Sequence, residues 1–175
     1  MISKLSLPSP WIVQHANLAP SGGRVVDVAC GAGRNGRYFQ ERGHPTVFLD
    51  IDCAKIRDLD GADGVTIMET DLETEGPQPW PFGPTTLDVV VATNYLWRPL
   101  MPALIDSVAT GGVFLYETFA IGNEALGRPK NPKFLLKAGE LLEMVRGKLR
   151  VVAFGQETRS DPSPAIIQHI AAVRD

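Results

Sequence analysis

Apolar positions along this 175-residue chain fall into short runs separated by mixed stretches punctuated with glycine or proline, which predicts strands and helices in turn. Runs at 24–29, 46–50, 65–70, 87–93 and 113–119 are rich in Val, Leu and Phe with few breaks, as strands buried on both faces are. Between them the pattern predicts helices over 34–42, 54–59 and 100–109, closed by Gly43, Gly61 and Gly111-Gly112 respectively, and a further one over 138–148. Ser9 and Pro10 suit the N-cap and first position of a short helix through Trp11, Ile12, Val13 and His15, closed before Pro20. His44-Pro45 is a stiff connector, and His44 reads as a structural residue entering the next strand. The stretch 73–86 carries Pro77, Pro79, Pro81 and Pro84 and cannot hold an ordinary helix, so Trp80 and Phe82 are expected to pin it as a loop. Two last strands, 149–157 and 165–173, are joined by a segment too short and proline-broken for a crossover. The final strand must therefore return antiparallel.

Candidate chemistry gathers at 25–36, which reads Val-Val-Asp-Val-Ala-Cys-Gly-Ala-Gly-Arg-Asn-Gly. A strand, a tight turn and a helix N-terminus in that order make a nucleotide-binding crevice. Gly31 and Gly33 lack the Cβ that would hold a ligand off, and the first N–H groups of the helix face it. Two cofactor classes use such a crevice. Gly31, Gly33 and Gly36 match the dinucleotide fingerprint G-x-G-x-x-G, and Asp50 follows at about the expected 20 residues. Asp27 weighs against that class, because a carboxylate in a central parallel strand is costly unless something there hydrogen-bonds to it. Asp-x-Ala-x-Gly-x-Gly at 27–33 resembles motif I of the class I S-adenosylmethionine (SAM)-dependent methyltransferases, with Ala29 where that family prefers glycine.

The resemblance covers 24–173 and implies a Rossmann-like α/β sandwich. Its sheet is mostly parallel and seven-stranded, with the last strand antiparallel and helices on both faces. SAM is the implied cofactor and S-adenosylhomocysteine (SAH) the product. Asp27, Ala29, Gly31, Gly33 and Arg34 would line the cofactor at the turn, and Gly33-Arg34-Asn35 looks like the tellurite-resistance type of methyltransferase. Asp50 would hold the ribose, the alternative being a cap on the helix near Ala54. Ile51 would cover the adenine face, Asp71 and Leu72 would meet its amino edge, and Asn94 the amino acid moiety. Asn94-Tyr95 lacks the two prolines of the Asn/Asp-Pro-Pro-Tyr signature, so adenine N6 or glutamine amide methylation is not expected.

On the acceptor side, Tyr95 and Arg98 follow the fourth strand and are expected to meet substrate. Trp11 and His15 are lid or substrate residues, or else pack against the sheet edge. Glu117 is a general base or a structural hydrogen-bonding group. Arg128, with Lys130, Lys133 and Lys137, contacts an anionic substrate or RNA, or belongs to a solvated loop. No catalytic residue is assigned and no metal is expected.

Length favours one domain over 21–175, preceded by a lead-in helix or lid over 1–20. Cys30 and Cys53 are the only cysteines and lie near the proposed site, which argues against a disulfide framework and for a reducing, cytoplasmic compartment. No apolar run approaches the roughly 20 residues of a membrane span, and no signal-peptide pattern opens the chain. A net charge of −3 disfavours non-specific nucleic-acid binding without excluding a local basic patch. The expected activity is in-line transfer of the sulfonium methyl to a small-molecule acceptor. The alternatives are an RNA or protein substrate held by 128–137, and a non-catalytic SAM-binding or interaction module.

Overall fold

The computed structural model describes residues 7–76, 79–160 and 163–175. Residues 1–6 of the expected lead-in, Pro77 of the proline-rich loop and Asp161-Pro162 of the last connection lie outside them. The strands are β1 (Val25–Val28), β2 (Thr46–Asp50), β3 (Val65–Glu69), β4 (Leu87–Thr93), β5 (Val108–Phe119), β6 (Arg150–Arg159) and β7 (Ala165–Val173). They form one seven-stranded sheet in the order β3-β2-β1-β4-β5-β7-β6. The first five strands run parallel, and β7 lies antiparallel between β5 and β6.

The α-helices are α1 (Pro10–His15), α2 (Arg34–Gln40), α3 (Met101–Ser107) and α4 (Glu140–Val145). The two-residue period of the strands sorts the core. Val25, Val89, Val91, Val113 and Leu115 pack with Ile12 of α1 and Phe39 of α2. Val26, Val90, Phe114 and Tyr116 pack with Leu104 of α3 and Leu141 of α4. Each such fully buried side chain stabilises the fold by about 1.5–3 kcal/mol relative to exposure. The order reverses between β1 and β4, so a crevice opens at their carboxyl ends.

Four local expectations change. The helix expected over 100–109 ends at Ser107, because Val108 pairs with Leu87 and starts β5 early. Gly111 and Gly112 therefore lie inside the strand; Gly111 has φ +76° and a Cβ on Gly112 would come within 2.8 Å of the Asp88 carbonyl. The 54–59 segment is a 3₁₀ helix. The helix expected over 138–148 is confined to Glu140–Val145. Pro10 does occupy the first turn of α1, but the Ser9 hydroxyl makes no cap and turns to Glu117 instead. No helix among the described residues is long and apolar enough to cross a membrane.

Candidate functional site

Leaving β1, the chain turns through Ala29 (φ +51°), Gly31 (φ +56°) and Gly33 (φ +71°), all in the left-handed region. The glycines have different causes. A Cβ on Gly31 would meet nothing within 4 Å, so its backbone lies open to a ligand. A Cβ would stand 2.9 Å from the Phe48 ring at Gly33 and 2.4 Å from it at Gly36, so these two let α2 settle against β2. Asp27 is only 2 % exposed, and its Oδ2 accepts the Gly36 N–H at 2.7 Å. A central-strand acid thus satisfies an otherwise unpaired donor in the first turn of α2. Burial pushes its pKa up to about 7 against the pull of that N–H and of the Arg34 guanidinium.

A cavity of about 490 Å³ lies beyond the turn. Five of the expected cofactor residues line it: Ala29, Asp50, Ile51, Asp71 and Leu72. Asp50 sits at the end of β2 with Oδ2 accepting the Gly31 N–H at 2.8 Å and Oδ1 accepting the Asp52 N–H at 3.1 Å. It does not cap the 3₁₀ helix, whose Ala54 N–H donates to Asp52. Ile51 is 65 % exposed, an apolar side chain offered to whatever fills the cavity. Asp71 Oδ1 accepts the Glu73 N–H at 2.9 Å, a local turn that carries Glu73 back to the wall. Burial and Asp71 raise the Glu73 pKa.

No protein-family model matches the sequence, and no curated protein matches it. Solved structures do match. A SAM-dependent methyltransferase from Mesorhizobium loti superposes with TM-score 0.70 at 16 % identity, over 93 % of this chain and 96 % of that one. TehB from Haemophilus influenzae gives 0.68 at 18 % identity, over 94 % and 61 %. The 1,6-didemethyltoxoflavin-N1-methyltransferase of Burkholderia thailandensis, solved with 1,6-didemethyltoxoflavin and SAH bound, gives 0.66 at 16 % identity, over 93 % and 75 %. The fold is that of the SAM-dependent methyltransferases.

Within this methyltransferase fold the remaining candidates separate. Tyr95, expected at the substrate, lines the cavity together with Glu73 and Thr70. Its buried hydroxyl has no hydrogen-bond partner among the described residues, and burial beside Glu73 and Asp71 raises its pKa. Asn94 (φ +57°) is exposed and donates its N–H to the Glu117 carbonyl at 2.8 Å, outside the cavity lining. Arg34 reaches the Leu7 carbonyl at 3.1 Å and Thr93 Oγ1 at 3.3 Å, drawing residues 7–9 across the carboxyl ends of the strands.

Arg98 does not line the cavity. Its guanidinium forks onto Glu140 at 2.6 and 2.9 Å and donates to the Lys133 and Leu135 carbonyls. It clamps the 128–137 segment with four of its five N–H donors. Arg128, Lys130, Lys133 and Lys137 are exposed. Trp11 is held by its indole N–H on the Ile170 carbonyl at 3.2 Å, and His15 Nδ1 lies 2.9 Å from the Trp11 carbonyl. Glu117 is buried under Ser9, whose hydroxyl donates to Oε2 at 3.2 Å. Its pKa is raised by burial, against the pull of Ser9, Arg159 and Arg34.

Sequence reasoning passed over Thr70 and Glu73. Thr70 is the residue at which the third apolar run stops, so the strand end was the signal for it. Glu73 follows Asp71 by two, the spacing at which an aspartate side chain takes a backbone N–H and folds the chain back.

Proposed function

We propose that the chain is a SAM-dependent methyltransferase acting on a small-molecule acceptor. One observation carries the cofactor: the cavity at the β1 and β2 ends presents Asp50, Asp71 and Glu73, with no cationic side chain among the described residues of its wall. SAM brings a sulfonium cation and no phosphate. A dinucleotide brings a pyrophosphate that three carboxylates would repel.

The residues fit the cofactor's parts. Each Asp50 oxygen keeps a second lone pair for a ribose hydroxyl, Ile51 suits the adenine face, and Asp71 accepts from an exocyclic amine. Gly31 leaves room for the chain beyond the ribose. When bound, SAM supplies an electrophilic methyl group, and the protein's part is to hold a nucleophile in line and exclude water. The acidic net charge and the small-molecule complex of the Burkholderia thailandensis neighbour support a small acceptor. The exposed cations of 128–137 favour RNA as the second reading.

Incubation with methyl-labelled SAM tests the proposal. Label is expected in a small-molecule fraction. Label in RNA, lost when Arg128 and Lys130 are neutralised, would install the second reading. SAH binding with no transfer to any fraction would make the chain a non-catalytic binding module.

A further inference from the structure

Towards the carboxyl ends of β4 and β5, one register row of the sheet carries Thr93, Glu117, His169 and Gly155 as direct neighbours on β4, β5, β7 and β6. Side chains opposite one another in a sheet share a face, here the face covered by α1. Gly155 makes the row possible, since a Cβ there would stand 2.5 Å from the His169 ring. Arg159 lies on the same face of β6 and turns back over the Phe119 ring towards Glu117. Trp11 stacks flat on His169 with centroids 3.7 Å apart and supplies a rigid aromatic wall.

The distances inside this cluster do not close. Glu117 is 3 % exposed, yet Ser9 is its one hydrogen-bond donor among the described side chains. Arg159 Nη1 stands 3.8 Å from Oε1, and His169 Nδ1 stands 4.0 Å from Oε2, both beyond a hydrogen bond. Arg159 Nε and His169 Nδ1 are themselves buried without a partner. Each unsatisfied buried polar group is costly. Two such groups, set beside a Glu117 carboxylate that neither residue reaches, leave places for a ligand with a donor next to an acceptor. His169 is 6 % exposed, whereas the Arg159 side chain is 21 % exposed, so the cluster opens past Arg159.

We propose that Glu117, Arg159 and His169 form the methyl-acceptor subsite, taking a small planar molecule whose reacting N–H or O–H adjoins a hydrogen-bond acceptor. The inference rests on the methyltransferase reading. The ligand's N–H or O–H donates to Glu117, and its acceptor atom takes the Arg159 Nε–H and, in the Nδ1–H tautomer, His169. On transfer, the reacting atom's lone pair forms the bond to the methyl carbon, and the carbon–sulfur bond breaks with its electron pair going to sulfur. The reacting atom's proton passes to the Glu117 carboxylate and thence to solvent. Glu117 is then a catalytic residue, and Arg159 and His169 orient the acceptor.

The test is an NMR titration of the ¹⁵N-labelled protein, with and without SAH, using 2-pyridone as probe and N-methyl-2-pyridone, which lacks the donor, as control. Saturable shifts are expected at Arg159 Nε–H and the His169 ring nitrogens, with the control binding at least tenfold more weakly. Glu117→Ala and, as the variant less exposed to folding loss, Arg159→Lys should each weaken the probe tenfold or more and leave SAH affinity unchanged. SAH binding without probe shifts, equal binding of the control, or unchanged probe affinity in both variants overturns the subsite. Probe shifts in a protein that does not bind SAH overturn the methyltransferase reading instead, and with it the assignment of this cluster to a methyl acceptor.

Discussion

Asp50 Oδ2 accepts the Gly31 N–H at 2.8 Å and so ties the tip of the β1 turn to the end of β2. The same carboxylate lines the cavity, so it both shapes the turn and faces the space beyond it. Asp50→Ala is expected to weaken SAH binding by roughly 1–3 kcal/mol, the usual cost of losing a charged hydrogen-bond partner. Calorimetry on the folded variant checks this, and an unchanged affinity removes Asp50 from the ribose.

Ala29 holds φ +51° with a Cβ that this region penalises. Ala29→Gly relieves that strain and gives part of the gain back as chain entropy in the unfolded state. The net expectation is a stabilisation of about 0.5–1 kcal/mol, read as a higher midpoint in urea. A lower midpoint would show that the Ala29 methyl packs usefully enough to outweigh its backbone cost.

Asp27 titrates near 7 in the folded protein against an ordinary value of 3.8. Between these values the folded state holds a proton that the unfolded state has released. This group's contribution therefore makes stability fall as pH rises from about 4 to 7, then level off. Asp27→Asn keeps an acceptor for Gly36 and removes that slope. From pH 5 to 8 the difference in stability between variant and wild type should move in the variant's favour by about 2–3 kcal/mol. A pH-independent difference contradicts the raised pKa.

Arg98 joins Glu140 to the carbonyls of Lys133 and Leu135. Arg98→Ala should release the 128–137 segment and speed its cleavage by trypsin, while SAH affinity stays at the wild-type value. Unchanged cleavage would mean that the segment is held by its other contacts.

The strand positions and the acids that line the cavity were legible because their signals are local. Apolar runs, the turn glycines and an acid at each strand end all lie within a few residues of one another. The start of β5 was not legible, since Gly111-Gly112 marks a stop in sequence while pairing of Leu87 with Val108 carries the strand through it. The Arg98 clamp was not legible for a related reason: its partner Glu140 is 42 residues away. Arg159 and His169 gave no signal at all. They meet Glu117 only through the antiparallel register of β7 between β5 and β6, which spacing along the chain does not encode. Gly36 carries a motif match with a packing cause. It completes a dinucleotide fingerprint, yet glycine is needed there because a Cβ would stand 2.4 Å from the Phe48 ring and 3.0 Å from Asp27 Oδ2.

Calorimetric titration of the protein with SAH, and in parallel with NADH, tests the central claim most directly. The acid-walled cavity predicts that SAH binds and NADH does not. Binding of NADH in place of SAH would contradict it, and would make G-x-G-x-x-G rather than Asp27 the signal that names the cofactor.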